Sequence, residues 1–402
     1  MPSSPAASPP RFGHAMLAEF PLERGAVYLN HGTVGVTPLV VMRARSALLD
    51  EIERHPARFM IRELTSLGMS APPQAPRLRA AAAEVARFLG ADEGLAFIDN
   101  ATSGINAVLR SFPLAPGDEI LIHDHAYGGV ARALAFIARE RGAAVARVAL
   151  PFPARDPADF VRAVEQAITS RTRLALLDHV TSETALVLPL AEMAAACRAR
   201  GVAVLVDGAH APGAIDVDIA ALGVDWYVAN LHKWAFAPRS CGVLWAAPER
   251  RAGLHPCVLS WDVTSGDWLQ EFDWTGTRDP SPWLAAPTAL EFMRDVIGTG
   301  AMRRHNHALA WESARLLAER WRRDWPTPES MVGCMVTVAM PERLGPVDAI
   351  SAQRLRDALL ERHAIEVPVI ARAGALWLRV SLQVYNEAAD VERLAEAVES
   401  LR

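Results

Sequence analysis

Two side chains in one stretch of this sequence could act together on a carbonyl compound: Asp207 and, 26 positions later, Lys233. They lie in VAVLVDGAHAPGAIDVDIAALGVDWYVANLHKW, residues 202–234, where one apolar run ends at Asp207 and a second ends shortly before His232 and Lys233. A lysine partly withdrawn from water near another positive group keeps more of its neutral amine, the form that adds to an aldehyde to give an imine. A buried carboxylate favours the protonated form of a heterocyclic nitrogen placed beside it. Singly, each residue has an ordinary reading: a helix cap for the aspartate, a solvated surface for the lysine, a structural role for the histidine. Together they are delivered by two apolar strands to the same edge of one sheet, which the ordinary readings do not explain.

The elements that must position them alternate along the chain. Short β-rich apolar runs at Leu95–Ile98, Ile120–His123, Ala144–Val148, Leu174–Asp178, Val202–Asp207, Trp226–Ala229 and Gly242–Trp245 are separated by Ala/Leu/Arg-rich segments of helical period. This βαβα pattern predicts an α/β fold with a large, mostly parallel seven-stranded sheet and helices on both faces. Ligands of such sheets sit at the carboxyl ends of the strands. Here those ends carry polar residues: Asn100, His123 to His125, Asp178 to Thr181, Asp207 and Asn230. After about residue 290 the composition shifts. A helical stretch to Trp321 and the segment Pro326–Glu329 precede Met335–Met340, Ala349–Arg362, Ala375–Leu382 and Ala389–Leu401, which read as a smaller α/β domain. The expected division is an N-terminal tail or arm at 1–25, a large domain at 26–290 and a small C-terminal domain at 291–402.

Bulk properties narrow the partners. A net charge of -5 and a pI near 6.2 give no electrostatic reason to expect nucleic acid or an anionic membrane, so small solutes are the better expectation. The cysteines, Cys197, Cys241, Cys257 and Cys334, are too widely spaced for a zinc pattern or a disulfide framework, so no metal is expected and a reducing compartment fits. The stretch from Met1 to His14 lacks the apolar centre of a signal peptide and reads as a disordered tail. No run approaches the roughly 20 apolar residues that cross a bilayer. A cytoplasmic protein is expected.

The segments YLNHGTVGVTP, NATSGIN, DHAYGG, DGAHAPG, NLHKW and TGTRDPS closely resemble the class V aminotransferases, fold-type I enzymes that use pyridoxal 5'-phosphate (PLP). The resemblance is greatest to the branch of isopenicillin N epimerase-like proteins and C-S lyases, and extends more weakly to RVSLQVYN. It implies that Lys233 holds PLP as a Schiff base and that Asp207 pairs with the pyridine nitrogen. Asn100 to Gly104 match the turn that opens a helix under the phosphate, with Ala101 and Thr102 as donors, a placement that suits the positive end of a helix dipole. Asn230 and His232 match phosphate donors, and His125 the ring stacked on the cofactor face, with Tyr127 its rival. Ser182 and His210 match positions beside the phenolic oxygen, where relatives often carry Asn and Gln. Thr277 matches a residue that reaches the phosphate in the neighbouring subunit, which implies a homodimer with shared sites. Arg379 matches the arginine that binds a substrate α-carboxylate, and Asn30 and His31 lie in a motif at the substrate end of the pocket.

The same resemblance constrains the reaction. Cysteine desulfurases of the family use a cysteine on a loop before the small-domain arginine, and 363–379 contains none, which disfavours persulfide chemistry. Cα deprotonation by Lys233 remains, leading to epimerisation, β-elimination or transamination. Epimerisation needs a second proton donor, for which His125 and Tyr127 are the candidates. An amino-acid epimerase or C-S lyase is the favoured expectation, with an aminotransferase as the alternative and a non-catalytic PLP-binding protein as the outlying one.

Overall fold

The computed structural model describes residues 12–65 and 75–401. Its twelve strands are β1 (Val27–Tyr28), β2 (Leu95–Ile98), β3 (Glu119–His123), β4 (Ala144–Val148), β5 (Thr172–Asp178), β6 (Ala203–Asp207), β7 (Trp226–Asn230), β8 (Gly242–Ala246), β9 (Met335–Ala339), β10 (Ile365–Glu366), β11 (Val369–Arg372) and β12 (Ala375–Ser381). β2 to β8 form one seven-stranded sheet in the order β2-β8-β7-β6-β5-β3-β4. All of its strands run one way except β8, which pairs antiparallel with both β7 and β2.

The burial of these strands explains their sequences. β6, β7 and β8 are buried along their whole length, so they read as continuous apolar runs, whereas edge strand β4 is largely accessible. Alternation then sorts the side chains between two cores. Leu174, Leu176, Ala203 and Leu205 pack on one face, under the helix Ala101–Ser111, while Ala175, Leu177, Val204 and Val206 pack on the other. That helix starts where it does because Asn100 accepts the Ser103 N–H and the Ser103 hydroxyl closes a reciprocal cap on Asn100.

A third core surrounds the antiparallel sheet β11-β12-β9 and the helices Thr299–Trp321, Ala349–His363 and Ala388–Ser400. It also takes in Val27 and Leu29, because β1 pairs in parallel with β10. The chain near residue 26 is thus built into the C-terminal unit, where the sequence suggested the start of the large one. The expected tail differs too. From Phe12 onward it is docked: the Gly13 N–H donates to the Val384 carbonyl at 2.7 Å, His14 bonds Asp390, and Phe20 is buried. Residues 1–11 of that expectation lie outside the described residues.

The loop after β7 is held by close backbone packing. A Cβ on Gly35 would overlap the carbonyl oxygens of His232 and Lys233, and one on Gly213, which has φ of 90°, would overlap that of Trp234. Backbone carbonyls cannot rotate aside as side chains do. Gly35→Ala is therefore expected to lower stability by about 1–3 kcal/mol, as overpacking does, in a urea titration of the whole chain. An unchanged midpoint would show that this loop yields freely.

Candidate active site

A cavity of about 290 Å³ opens at the carboxyl ends of β5, β6 and β7. Its walls include Thr102, Asp178, Asp207, His210, Asn230 and Lys233. Strand alternation accounts for three of these. Asp178, Asp207 and Asn230 are terminal residues of β5, β6 and β7 that continue the face carrying Leu176, Leu205 and Val228, so all three turn toward the start of the helix Ala101–Ser111. Asp178 and Asp207 are direct partners in register. A wider, shallow groove on the helix Ala349–His363 is lined by that helix alone and gathers no buried polar cluster.

Lys233 enters this cavity from the loop after β7, with Nζ 2.9 Å from His210 Nε2. Burial pushes its amine down to about 8, against the attraction of Asp207. Burial and the neighbouring lysine hold His210 well below the usual imidazole range. The indole N–H of Trp234 donates to His210 Nδ1 at 3.4 Å. Asp207 accepts the Ala209 N–H through Oδ1 at 3.0 Å. Burial, and after it the charge of Asp178, raise the Asp207 carboxyl to about 7. A cation seated beside Asp207 would relieve that cost.

At the helix start the arrangement departs from expectation. Ala101 does not offer its N–H to the cavity, because Asn230 Oδ1 takes it at 2.8 Å. Asn230 then keeps its amide nitrogen, and Thr102 its backbone N–H, for a ligand at the cavity wall. His232 is turned away: its Nδ1 bonds the Cys241 carbonyl at 2.8 Å, so Nδ1 carries the proton. Burial lowers its pKa to about 4, which leaves Nε2 bare and unable to donate. Thr277 is exposed and is not among the residues around this cavity.

Arg379, the expected carboxylate ligand, is buried on β12. It donates to the Ser182 carbonyl at 2.7 Å, to Asn30 Oδ1 at 3.1 Å and to the Thr33 hydroxyl, while its Nε has no partner among the described residues. All of these bonded partners are uncharged. Burial lowers its pKa to about 10, so it remains a cation, and Glu183 on the cavity wall is the acid that acts on it through space. Ser182 and Thr33 line the cavity, and the guanidinium sits behind them, bonded to both.

His31, expected beside the substrate, is fully buried and braces the lysine loop. Its Nε2 bonds the Lys233 carbonyl at 2.9 Å and its Nδ1 the Tyr385 hydroxyl at 2.8 Å. Asn30 pairs with Ser381 of β12, and its side chain turns to Arg379, while that of the next residue enters the interior. His125 is likewise corrected: it is buried, bonded to Thr184 Oγ1 at 2.8 Å and edge-on to Phe152, outside the cavity lining. Tyr127, its rival, is in the lining and half exposed. Sequence reasoning marked Asp178 only as a polar strand end and passed over Thr33 and Glu183, because their contribution depends on which segments are neighbours in the fold. It also missed a signal in plain view: Lys233 is the only lysine in the 402 residues.

An imine-forming amine, a buried carboxylate and anion donors at a helix start, on this sheet, define a fold-type I PLP enzyme. The residues present fit that cofactor, with a carboxylate in need of a cation, an amine that gives up its proton more readily than a free lysine, and Thr102 and Asn230 with donors to spare. Residues 27–394 match the aminotransferase class-V family. The chain belongs to that family. It is 33% identical over 398 residues to isopenicillin N epimerase of Streptomyces clavuligerus, covering 94% of this chain and 96% of that protein. It is 31% identical over 401 residues to a probable chloroplastic L-cysteine desulfhydrase of Arabidopsis thaliana, covering 93% and 82%. Among solved structures, a C-DES mutant with glycine covalently linked to its PLP cofactor superposes with a TM-score of 0.77 at 21% identity, covering 96% of this chain and 99% of that one. The cysteine desulfurase CsdA of Escherichia coli gives 0.73 at 20%, covering 96% and 98%.

Lys233 makes the cofactor attachment directly testable, since its one competitor among primary amines is the chain's α-amino terminus. Borohydride should fix the cofactor on the peptide containing Lys233. Capture of PLP by the cofactor-free protein should accelerate as pH rises through about 8, because a depressed amine pKa leaves the nucleophilic form dominant above it. Label found only at the terminus, or capture flat across that range, would reject the assignment.

Proposed function

We propose that this enzyme removes the Cα proton of an α-amino acid and completes a β-elimination that breaks a carbon–sulfur bond. The observation that carries the reading is a lysine amine of depressed pKa in the cavity and, directly behind the lining residues Ser182 and Thr33, a buried guanidinium whose bonded partners are all neutral. A buried cation calls for an anion. An α-carboxylate satisfies it with the bidentate geometry that suits arginine.

Asp207 serves the protonated ring nitrogen, Thr102 and Asn230 the phosphate, and His210 the region of the attachment. When bound, PLP supplies an electron sink next to Cα. Lys233, once released from attachment, takes the Cα proton as general base. Sulfur then leaves Cβ with the bonding pair. A thiolate leaves without an acid, since a free thiol has a pKa of about 8.5, so one base suffices. The net change for a cysteine conjugate and water is thiol, ammonia and pyruvate. With His125 turned out of the lining, Lys233 and Tyr127 are the proton-transfer groups best placed there. Epimerisation is the second reading, favoured by the phenol of Tyr127 in the cavity lining as a second proton donor. Persulfide chemistry at a protein thiol is not favoured. Cys334 is buried, bonded to the Ala214 carbonyl and raised to about 12, and none of the four cysteines lines the cavity.

A homodimer with shared sites belongs to the same proposal. Thr277 is exposed beside a surface where Val258 approaches Thr275 and Arg278, and Val258, Leu259 and Trp261 are exposed apolar side chains nearby. Such a patch suits an interface. No described helix is long and apolar enough to cross a membrane. A cytoplasmic location accords with four unpaired thiols.

Purified enzyme given L- and D-amino acids and cysteine conjugates should release thiol, ammonia and pyruvate together. Inversion at Cα without ammonia would favour the epimerase, and keto acid that keeps its β-substituent would favour transamination. Arg379→Ala should weaken substrate binding by roughly ten- to a hundredfold, the loss of about 1.5–3 kcal/mol from a charge-assisted contact, with cofactor loading near normal. Unaltered amino-acid affinity in that variant would remove the carboxylate from Arg379. For the dimer, Lys233→Ala and Thr277→Ala proteins should recover partial activity after subunit exchange, because one site of each mixed dimer escapes both lesions. A fully active monomer would end the shared-site reading.

A further inference from the structure

We propose that Trp234 is a positioning residue that lowers the proton affinity of the Lys233 amine by fixing the tautomer of His210. This rests on the reading of Lys233 as the cofactor lysine. An indole nitrogen only donates. Trp234 is 1% exposed, and its N–H points at His210 Nδ1 at 3.4 Å. His210 Nδ1 must then be the bare nitrogen. The imidazole is uncharged, so its one proton sits on Nε2, which faces Lys233 Nζ at 2.9 Å. An N–H aimed at an amine needs the lone pair of that amine, and an ammonium has none. Protonating Lys233 would require His210 to move its own proton to Nδ1, where it would meet the indole N–H head-on. Two hydrogen bonds therefore oppose the charged lysine, in addition to burial.

The indole is not free to turn aside. It packs beside Gly32, where a Cβ would lie 3.3 Å from its Cζ2, and against the His31 ring at 5.0 Å between centroids. Its own carbonyl is pressed against Gly213, and the Lys233 carbonyl is held by His31. The charges acting on the amine are Asp207 and Asp178, which favour protonation, and Arg379, which opposes it. The tautomer lock works with the arginine against two carboxylates. Trp234 acts only through His210, so it is not a catalytic residue.

The single lysine provides the measurement. Full-length protein labelled with [ε-13C]lysine gives one side-chain lysine resonance, whose shift follows the protonation of Lys233 in the cofactor-free chain. Trp234→Phe removes the N–H, and site-specific benzothienylalanine at position 234 removes it while keeping the shape of the indole. Both should raise the midpoint by about one pH unit, a tenfold change in the amine equilibrium, and PLP capture should shift with it. The isosteric replacement decides the matter if the phenylalanine variant misfolds. An unchanged midpoint with benzothienylalanine overturns the lock. Borohydride fixation in the unaltered enzyme separates the two failures: no label at Lys233 sinks the cofactor reading, whereas label with an unmoved midpoint sinks the tautomer lock alone.

Discussion

A buried amine and a buried carboxylate share one cavity in this protein without forming an ion pair. Asp207 and Lys233 act on each other through space, yet each is bonded elsewhere, to the Ala209 N–H and to His210. Direct pairing would be the cheapest way to bury two opposite charges. It would also consume both groups, leaving a charged lysine that cannot add to a carbonyl and an aspartate with no capacity for a cationic ring. Keeping them apart costs solvation free energy. That cost is what makes the cavity receptive to a ligand carrying the missing charges.

The separation is maintained by backbone rather than by long side chains. Asp207 is fixed by the end of a strand buried on both faces. The loop bearing Lys233 is held between Gly35, Gly213 and the His31 ring. Histidines that composition alone would treat as interchangeable thereby divide into kinds. His210 meets the lysine, His31 props its loop, and His232 and His125 satisfy groups behind the cavity wall. Burial makes all four poor bases.

Arg379 is a second buried charge held without a direct counter-ion. Its position on β12 places a cation from the C-terminal unit against the loop 182–183 and the N-terminal residues Asn30 and Thr33, three segments distant in sequence. The docking of β1 onto β10 fixes that junction, because it ties the Asn30 segment to the C-terminal sheet. The placement of this guanidinium therefore depends on how the two units meet.

The sequence by itself determined the sheet, because strand identity is written in local apolar runs and turn residues. Each of the seven predicted strands is present, and so are the elements after residue 330. It also singled out Asp207 and Lys233, since a polar residue at the end of a buried strand is a local pattern. What it could not determine was direction and neighbourhood. Whether His125 or Tyr127 faces the cavity, whether Ala101 keeps its N–H, and which way His31 points all depend on hydrogen bonds to residues tens to hundreds of positions away, such as Thr184, Asn230 and Tyr385. The register of Asp178 beside Asp207 belongs to the same class, fixed only when β5 lies against β6. Local sequence sets which groups can do chemistry, and the tertiary structure decides which of them are left unpaired to do it.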